Sequence, residues 1–170
     1  MGSTPASRTI SCPAGSDMSS RRRPIHTEFI ERTYEIPGDL IPMEVRRVLL
    51  LEDDDKLAET IKDLLSARHY VVDRVVNGAE GLKLVLAEDY HAILCDMVMP
   101  DFPGDMFYVA VKRVKPHLCR RFVFMTGQRA DARIVRFLEE IKGVVLWKPF
   151  EFKKLFNVID FASRNVDAGG

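Results

Sequence analysis

Short apolar runs alternate with longer amphipathic stretches between residues 47 and 164. The first run, VLLL at residues 48–51, has no polar alternation, as expected of a parallel strand that is covered on both faces. Residues 55–69 follow it, and their apolar positions recur at helical spacing. The pattern therefore predicts a buried strand followed by a helix, and the same unit recurs along the chain.

Five such units are predicted in all. Asn77 is suited to cap the second helix, and the third helix must end near Pro116, because proline cannot continue a helix. The predicted strands are residues 48–51, 70–76, 91–96, 121–126 and 143–147, and the predicted helices are residues 55–69, 77–90, 105–114, 130–142 and 151–163.

The alternation of strands and helices predicts the fold class. Five parallel strands joined by right-handed crossovers give an α/β fold, a doubly wound five-stranded sheet with the flavodoxin-like order 2-1-3-4-5. Ligands bind to such sheets at the carboxyl ends of the strands beside the switch point, here strands 1 and 3. Functional residues are therefore expected at that edge of the sheet.

The flanking segments differ from this regular region. Residues 1–24 are rich in Ser, Pro, Gly and Arg and have few aliphatic side chains, so we expect a disordered tail. Residues 25–46 are apolar enough to form an N-terminal extension that packs on the domain as a short strand or helix. Residues 47–164 form the predicted domain, and residues 165–170 a short C-terminal tail.

Charge and cysteine content narrow the classes of function. The 25 basic and 25 acidic residues cancel, which argues against nucleic acid or a membrane surface as a partner. No apolar run approaches the roughly 20 residues of a membrane span. The three cysteines fit neither a disulfide framework nor a zinc site with closely spaced pairs, so we expect a cytoplasmic protein.

Acidic, hydroxyl and basic residues follow the predicted strands. Strand 1 leads into Glu52 and Asp53, and strand 3 ends in Asp96. Strand 4 ends in Thr126, and strand 5 leads into Lys148. Three carboxylates that meet at one edge repel one another unless a divalent cation neutralises them. The sequence therefore predicts a Mg²⁺ site, because carboxylate oxygens are its preferred ligands.

Four motifs at these positions resemble those of the receiver domain of response regulators, which act in two-component phosphorelays. They are VLLLEDDD at residues 48–55, CDMVMPDFPG at 95–104, MTG at 125–127 and WKPF at 147–150. Each motif alone is unspecific, but together with the βα alternation they cover residues 47–162 consistently. The second half is also similar to receivers attached to hybrid histidine kinases.

The resemblance implies a role for each residue. Asp96 matches the phosphoacceptor, and Thr126 and Lys148 match the residues that contact the phosphoryl oxygens. Glu52, Asp53, Asp96 and the backbone carbonyl of Val98 match the Mg²⁺ ligands, although many receivers have Asp in place of Glu52. Asp54, the next acid, is interpreted as the N-cap of the first helix.

The resemblance also implies the partners and the limits of the activity. The phosphoryl group would come from a phosphohistidine on a histidine kinase or a histidine phosphotransfer protein, and the output partner is left unassigned. Such a domain is not an enzyme beyond catalysing its own aspartyl phosphorylation and dephosphorylation. Whether the domain forms a homodimer is left open.

The sequence also differs from the usual family pattern in the fifth strand. Receivers usually carry an aromatic residue three positions before the motif lysine, and its side chain moves when the domain is phosphorylated. This chain has Val145 there, which puts that part of the conformational change in doubt. Trp147, on the same side of that strand, is interpreted either as shielding the sheet edge or as contacting a partner.

Val98 and Gln128 lie where the family tunes the phosphoryl lifetime, and the apolar Val98 predicts a long lifetime.

Two other functions remain as alternatives. A pseudo-receiver would keep the fold and act as a dimerisation or interaction module without phosphorylation, and failure to bind Mg²⁺ would favour it. An unrelated flavin-binding protein or a Mg²⁺-dependent phosphatase is the other class. A phosphatase of that kind would be expected to place its nucleophile on the first strand, whereas Asp96 ends the third.

Overall fold

A computed structural model describes residues 45–164. The predictions for residues 1–24, for residues 165–170 and for all of the N-terminal extension except its last two residues lie outside this part of the chain. Five strands and five α-helices alternate: Arg46–Leu51 (β1), Asp55–Ser66 (α1), Tyr70–Val75 (β2), Gly78–Ala87 (α2), Ala92–Asp96 (β3), Gly104–Val114 (α3), Phe122–Thr126 (β4), Ala132–Glu140 (α4), Val144–Trp147 (β5) and Phe152–Arg164 (α5).

The five strands form one parallel sheet in the order β2-β1-β3-β4-β5, which confirms the predicted topology. The central strand β3 is buried along its whole length. β1 lies between β2 and β3, with Leu50 opposite Arg74 on one side and Leu94 on the other. The switch point therefore falls between β1 and β3, as the sequence predicted.

Helices cover both faces of the sheet and bury a separate apolar layer on each. Leu49 and Leu51 of β1 point toward α2, α3 and α4, whereas Val48 and Leu50 point toward α1 and α5. Cys95 lies in the first layer and is fully buried, as expected of a cysteine that acts as a small apolar residue. Burial raises the pKa of its thiol.

Helix ends follow the predicted caps. Asp54 accepts a hydrogen bond from the N–H of Leu57 at the start of α1, and Asn77 accepts one from the N–H of Glu80 at the start of α2. α3 ends two residues before Pro116. A 3₁₀ helix, Pro116–Arg121, then leads into β4, and the apolar pattern did not predict it because six residues are too few to show a period.

Gly81 has a packing reason that the sequence did not show. A Cβ at this position of α2 would lie 3.0 Å from Cδ2 of Leu51 and 3.1 Å from Cε2 of Phe107. Both neighbours are fully buried, so they have little room to move. The glycine therefore lets α2 lie close to β1 and α3.

Within residues 45–164 no helix is both long and apolar enough to cross a lipid bilayer.

Candidate functional site

The predicted site residues lie at one edge of the sheet, where four strands reach their carboxyl ends. Glu52 directly follows β1, and Asp96 is the last residue of β3. Thr126 ends β4, and Lys148 directly follows β5. Glu52, Asp96 and Thr126 are only 1%, 7% and 1% exposed, so three polar side chains are buried beside the switch point. Burial on this scale requires partners for each of them.

Lys148 supplies partners for two of these side chains. Its Nζ lies 2.6 Å from Oδ2 of Asp96 and 2.7 Å from Oε2 of Glu52. Its backbone N–H donates to the carbonyl oxygen of Thr126 at 2.8 Å, and its peptide bond to Pro149 is cis. One lysine therefore connects the carboxyl ends of β1, β3, β4 and β5.

The ionisation of this cluster follows from burial and from the ion pairs. Burial raises the pKa of Glu52, and the hydrogen bond from Lys148 opposes this effect without cancelling it. Burial alone would lower the pKa of Lys148, but its hydrogen bonds to Asp96 and Glu52 outweigh burial and raise the pKa. Lys148 therefore stays an ammonium group at neutral pH and compensates charge on both carboxylates.

The three predicted metal-binding side chains come together. Glu52, Asp53 and Asp96 each place one carboxylate oxygen within 4.8 Å of those of the other two. With all three ionised and Lys148 charged, the formal charge is −3 + 1 = −2, which a divalent cation would neutralise. Oxygen donors of this kind suit Mg²⁺, so the donor set fits the predicted metal.

The loop after β3 holds Asp96 from the other side. The N–H of Val98 donates to Oδ1 of Asp96 at 2.9 Å, so both carboxylate oxygens of Asp96 have a donor. Gly104, the first residue of α3, comes so close that a Cβ there would lie 2.5 Å from the carbonyl oxygen of Asp96. Only glycine allows this approach. Val98, whose N–H binds Asp96, is itself 50% exposed at the rim of the site.

Residues around Thr126 link the site to the edge strand. The hydroxyl of Thr126 accepts a hydrogen bond from the N–H of Gln128 at 3.1 Å. Arg129 stacks on the ring of Trp147, with its guanidinium carbon 4.8 Å from the ring centroid. Val145 and Trp147 pack against the same apolar layer, as predicted from strand alternation. Trp147 thus contacts both the apolar layer on this face of the sheet and the loop that follows Thr126.

One residue at this edge was missed by the sequence analysis. Arg74 of β2 donates from Nε and Nη2 to the carbonyl oxygen of Glu52, at 3.3 and 3.2 Å, and its Nη2 lies 2.6 Å from Oδ1 of Asp55. The predicted strand order places the end of strand 2 beside strand 1. A basic residue at that end was therefore a signal that could have been used.

Comparison with protein families gives a match over residues 48–160 to the response regulator receiver domain. The chain belongs to this family. Receiver domains are signalling domains of two-component systems, and the motifs that carried the resemblance all lie within or directly beside the matched range.

Individual relatives agree with this assignment. HprR, a transcriptional regulatory protein of Escherichia coli (strain K12), is 32% identical over 111 residues, which are 64% of this chain and 48% of HprR. The response regulator receiver protein CpdR of Brucella abortus (strain 2308) is 29% identical over 116 residues, 68% of this chain and 95% of CpdR. This chain thus spans about half the length of HprR and nearly all of CpdR.

A solved structure has the same fold. The signal receiver domain of a signal transduction histidine kinase from Syntrophus aciditrophicus superposes with a TM-score of 0.66 at 23% identity. The superposition covers 74% of this chain and 96% of that domain. At this level of identity the likeness supports the fold, and the function is argued from the site itself.

Proposed function

We propose that this receiver accepts a phosphoryl group on Asp96 and signals through a change of its surface. The observation that carries the proposal is the joint engagement of Asp96 by Lys148 and by the N–H of Val98, beside the carboxylates of Glu52 and Asp53. This arrangement presents an ionised carboxylate next to a fixed cation. No general base is needed, because an ionised aspartate is already a nucleophile.

The reaction transfers a phosphoryl group from nitrogen to oxygen. A carboxylate oxygen of Asp96 forms the new P–O bond, and the P–N bond of the donor phosphohistidine breaks. The electron pair of that bond stays on the imidazole nitrogen of the donor. Lys148 and the hydroxyl of Thr126 are placed at neighbouring strand ends, where they would bind the phosphoryl oxygens. Positioning and charge neutralisation supply most of the acceleration in such a transfer.

Mg²⁺ is the proposed cofactor. Glu52, Asp53 and Asp96 would hold it, with the backbone carbonyl of Val98 as a further ligand. Bound there, the ion would offset negative charge on the transferring group. Since Lys148 already contacts two of these carboxylates, the lysine must share them with the metal.

The partners follow from the chemistry of the donor. A histidine kinase or a histidine phosphotransfer protein would supply the phosphoryl group, and the transfer would take place in the cytoplasm. HprR is a transcriptional regulatory protein, and the Syntrophus structure is a receiver domain of a histidine kinase, so receivers of this family serve different outputs. The proposed activity itself is assigned to residues 47–164.

Acetyl phosphate, a small phosphodonor, tests the proposal without a partner. The full chain is incubated with acetyl phosphate in Mg²⁺ or in chelator, and its intact mass is measured. We expect one phosphoryl adduct that forms in Mg²⁺ and does not form in chelator. A chain that neither binds Mg²⁺ nor gains an adduct would favour the pseudo-receiver alternative.

Two variants locate the adduct. Asp96→Asn removes the nucleophile and should gain no adduct. Asp101→Asn, on an exposed aspartate of the following loop, is a matched control that should gain the adduct as the wild type does. Asp101 has a φ of 61°, a conformation that asparagine tolerates, so this control should fold normally. An adduct that persists in Asp96→Asn would refute the assignment.

A further inference from the structure

We infer that Arg74 is a positioning residue for the metal site, because it fixes the turn that carries two of the three metal-binding carboxylates. The inference rests on the proposed Mg²⁺ site and adds to it a residue on a strand that none of the four family motifs includes. Arg74 lies on β2, whereas the motif residues lie at the ends of β1, β3, β4 and β5.

The contacts of Arg74 join β2 to the turn between β1 and α1. Nε and Nη2 both donate to the carbonyl oxygen of Glu52, and Nη2 also pairs with Asp55 in the first turn of α1. The N–H of Glu52 donates to the carbonyl oxygen of Val75, the next residue of β2. Both backbone polar groups of Glu52 are thus bound by β2.

This arrangement sets the direction of the two acidic side chains. Glu52 is 1% exposed and points to Lys148, while the next residue, Asp53, is exposed and brings its carboxylate to the same cluster. The carbonyl bound by Arg74 belongs to the peptide that joins these two residues. A rotation of that peptide would move one or both carboxylates. The guanidinium of Arg74, which binds the carbonyl oxygen of this peptide, therefore controls the geometry of the metal site.

The planar guanidinium suits this task better than a lysine would. It donates from two nitrogens to one carbonyl and still pairs with a carboxylate, whereas an ammonium is a point charge on a flexible stem. The ion pair with Asp55 is not the main contribution, because the Asp55 side chain is 80% exposed and solvent screens such a pair.

Charge and position predict opposite effects on metal binding. A cation near a Mg²⁺ site repels the ion, so if Arg74 acted only through its charge, its removal would tighten binding. If Arg74 acts by positioning the turn, its removal weakens binding despite the lost repulsion. The sign of the change in Mg²⁺ affinity therefore separates the two roles.

The experiment compares three variants of the full chain by calorimetric titration with MgCl₂. Arg74→Met keeps much of the apolar stem and removes the donors. Arg74→Lys keeps the charge but loses the pair of guanidinium nitrogens that donate to the carbonyl oxygen of Glu52. Both should weaken Mg²⁺ binding, by about tenfold, as is usual when a residue supporting a metal ligand is lost. Arg74→Lys should be the weaker binder, because the repulsion remains.

Arg47→Met is the matched control for loss of stability. Arg47 also joins β1 to β2, through Asp73 at 2.7 Å, but it lies five residues before Glu52, roughly 16 Å along the strand. Its loss should lower the free energy of unfolding and leave the Mg²⁺ affinity unchanged. If Arg47→Met weakens Mg²⁺ binding as much as Arg74→Met does, a general loss of stability explains the result and the inference is overturned.

A second readout is the Mg²⁺ dependence of phosphorylation by acetyl phosphate. In the Arg74 variants the half-saturating Mg²⁺ concentration should rise in step with the dissociation constant, while the rate at saturating Mg²⁺ stays within about twofold of wild type. If Arg74→Met binds Mg²⁺ as tightly as wild type, or more tightly, the inference about Arg74 is overturned and the proposed function is not. A wild-type chain that binds no Mg²⁺ overturns the proposed function as well.

Discussion

Lys148 bridges Asp96 and Glu52 through a single ammonium group, with Nζ 2.6 Å from Oδ2 of Asp96 and 2.7 Å from Oε2 of Glu52. Both carboxylates belong to the proposed Mg²⁺ site. In that site the lysine and the metal ion would therefore compete for the same two carboxylates. This competition means that the removal of Lys148 should affect metal binding and phosphoryl transfer in opposite directions.

Lys148→Met should tighten Mg²⁺ binding and slow phosphorylation. Without the ammonium, two buried carboxylates face each other unpaired, which should cost about 1–3 kcal/mol of stability in the absence of metal. Mg²⁺ should then stabilise the variant more than it stabilises the wild type. The rate of phosphorylation should fall by about 10²–10³, the usual effect of losing one group that stabilises transition-state charge.

Urea unfolding with and without MgCl₂ measures the first effect, and intact mass over time measures the second. Equal stabilisation of Lys148→Met and wild type by Mg²⁺ would contradict the competition between lysine and metal.

Gly104→Ala should destabilise the domain and slow phosphorylation. The new Cβ would lie 2.5 Å from the carbonyl oxygen of Asp96 and 3.1 Å from Cα of Met97, so the backbone at the end of β3 must shift. We expect a loss of about 1–3 kcal/mol by urea unfolding. Gly127→Ala is the control, because its Cβ would meet nothing closer than 3.9 Å. Equal unfolding free energies for the two variants would contradict the close approach at Gly104.

Val98→Asn should shorten the lifetime of the phosphoryl group. Val98 is 50% exposed at the rim of the site and its side chain cannot bind the attacking water. One added hydrogen bond of ~1.4 kcal/mol in the transition state corresponds to about a tenfold faster loss of the group. Val98→Ala removes bulk without adding a donor and should stay within about twofold of wild type. The decay of the intact-mass adduct after removal of acetyl phosphate gives all three rates, and equal rates for the two variants would exclude an effect of hydrogen bonding.

Gly81→Ala should destabilise the domain although alanine favours a helix. Alanine gains about 1 kcal/mol over glycine in a helix, but the new methyl group would crowd Leu51 and Phe107, at a cost of about 1–3 kcal/mol. Leu51→Val shortens the side chain that the methyl group meets and should relieve part of this cost. A double-mutant cycle by urea unfolding measures the relief, and strictly additive effects would contradict direct contact.

Much of the fold was predictable because the apolar periods were regular. β3, with the sequence AILCD, is buried at every position, and such a run has few interpretations other than a central strand. The predicted end of each strand then placed Asp96, Thr126 and Lys148 at one edge. These residues are far apart in the sequence, and it was the predicted order of the strands along the sheet that indicated their proximity in space.

The parts that could not be predicted depend on close contacts between elements. Gly81 could not be explained from the sequence, because its reason is the distance to Leu51 and Phe107 on two other elements. Arg74 carried only a weak signal, because a basic residue at a strand end is usually solvated. Its contact with the backbone of Glu52 becomes visible only when β2 and the turn after β1 are placed side by side.

The most direct test of the central claim is to find which residue carries the phosphoryl group. Borohydride reduces an aspartyl phosphate to homoserine, so reduction after treatment with acetyl phosphate and Mg²⁺, followed by peptide mass spectrometry, marks the modified position. The proposed function predicts homoserine at residue 96 and at no other aspartate. Homoserine at another position with residue 96 intact, or none in a chain that binds Mg²⁺, would contradict it.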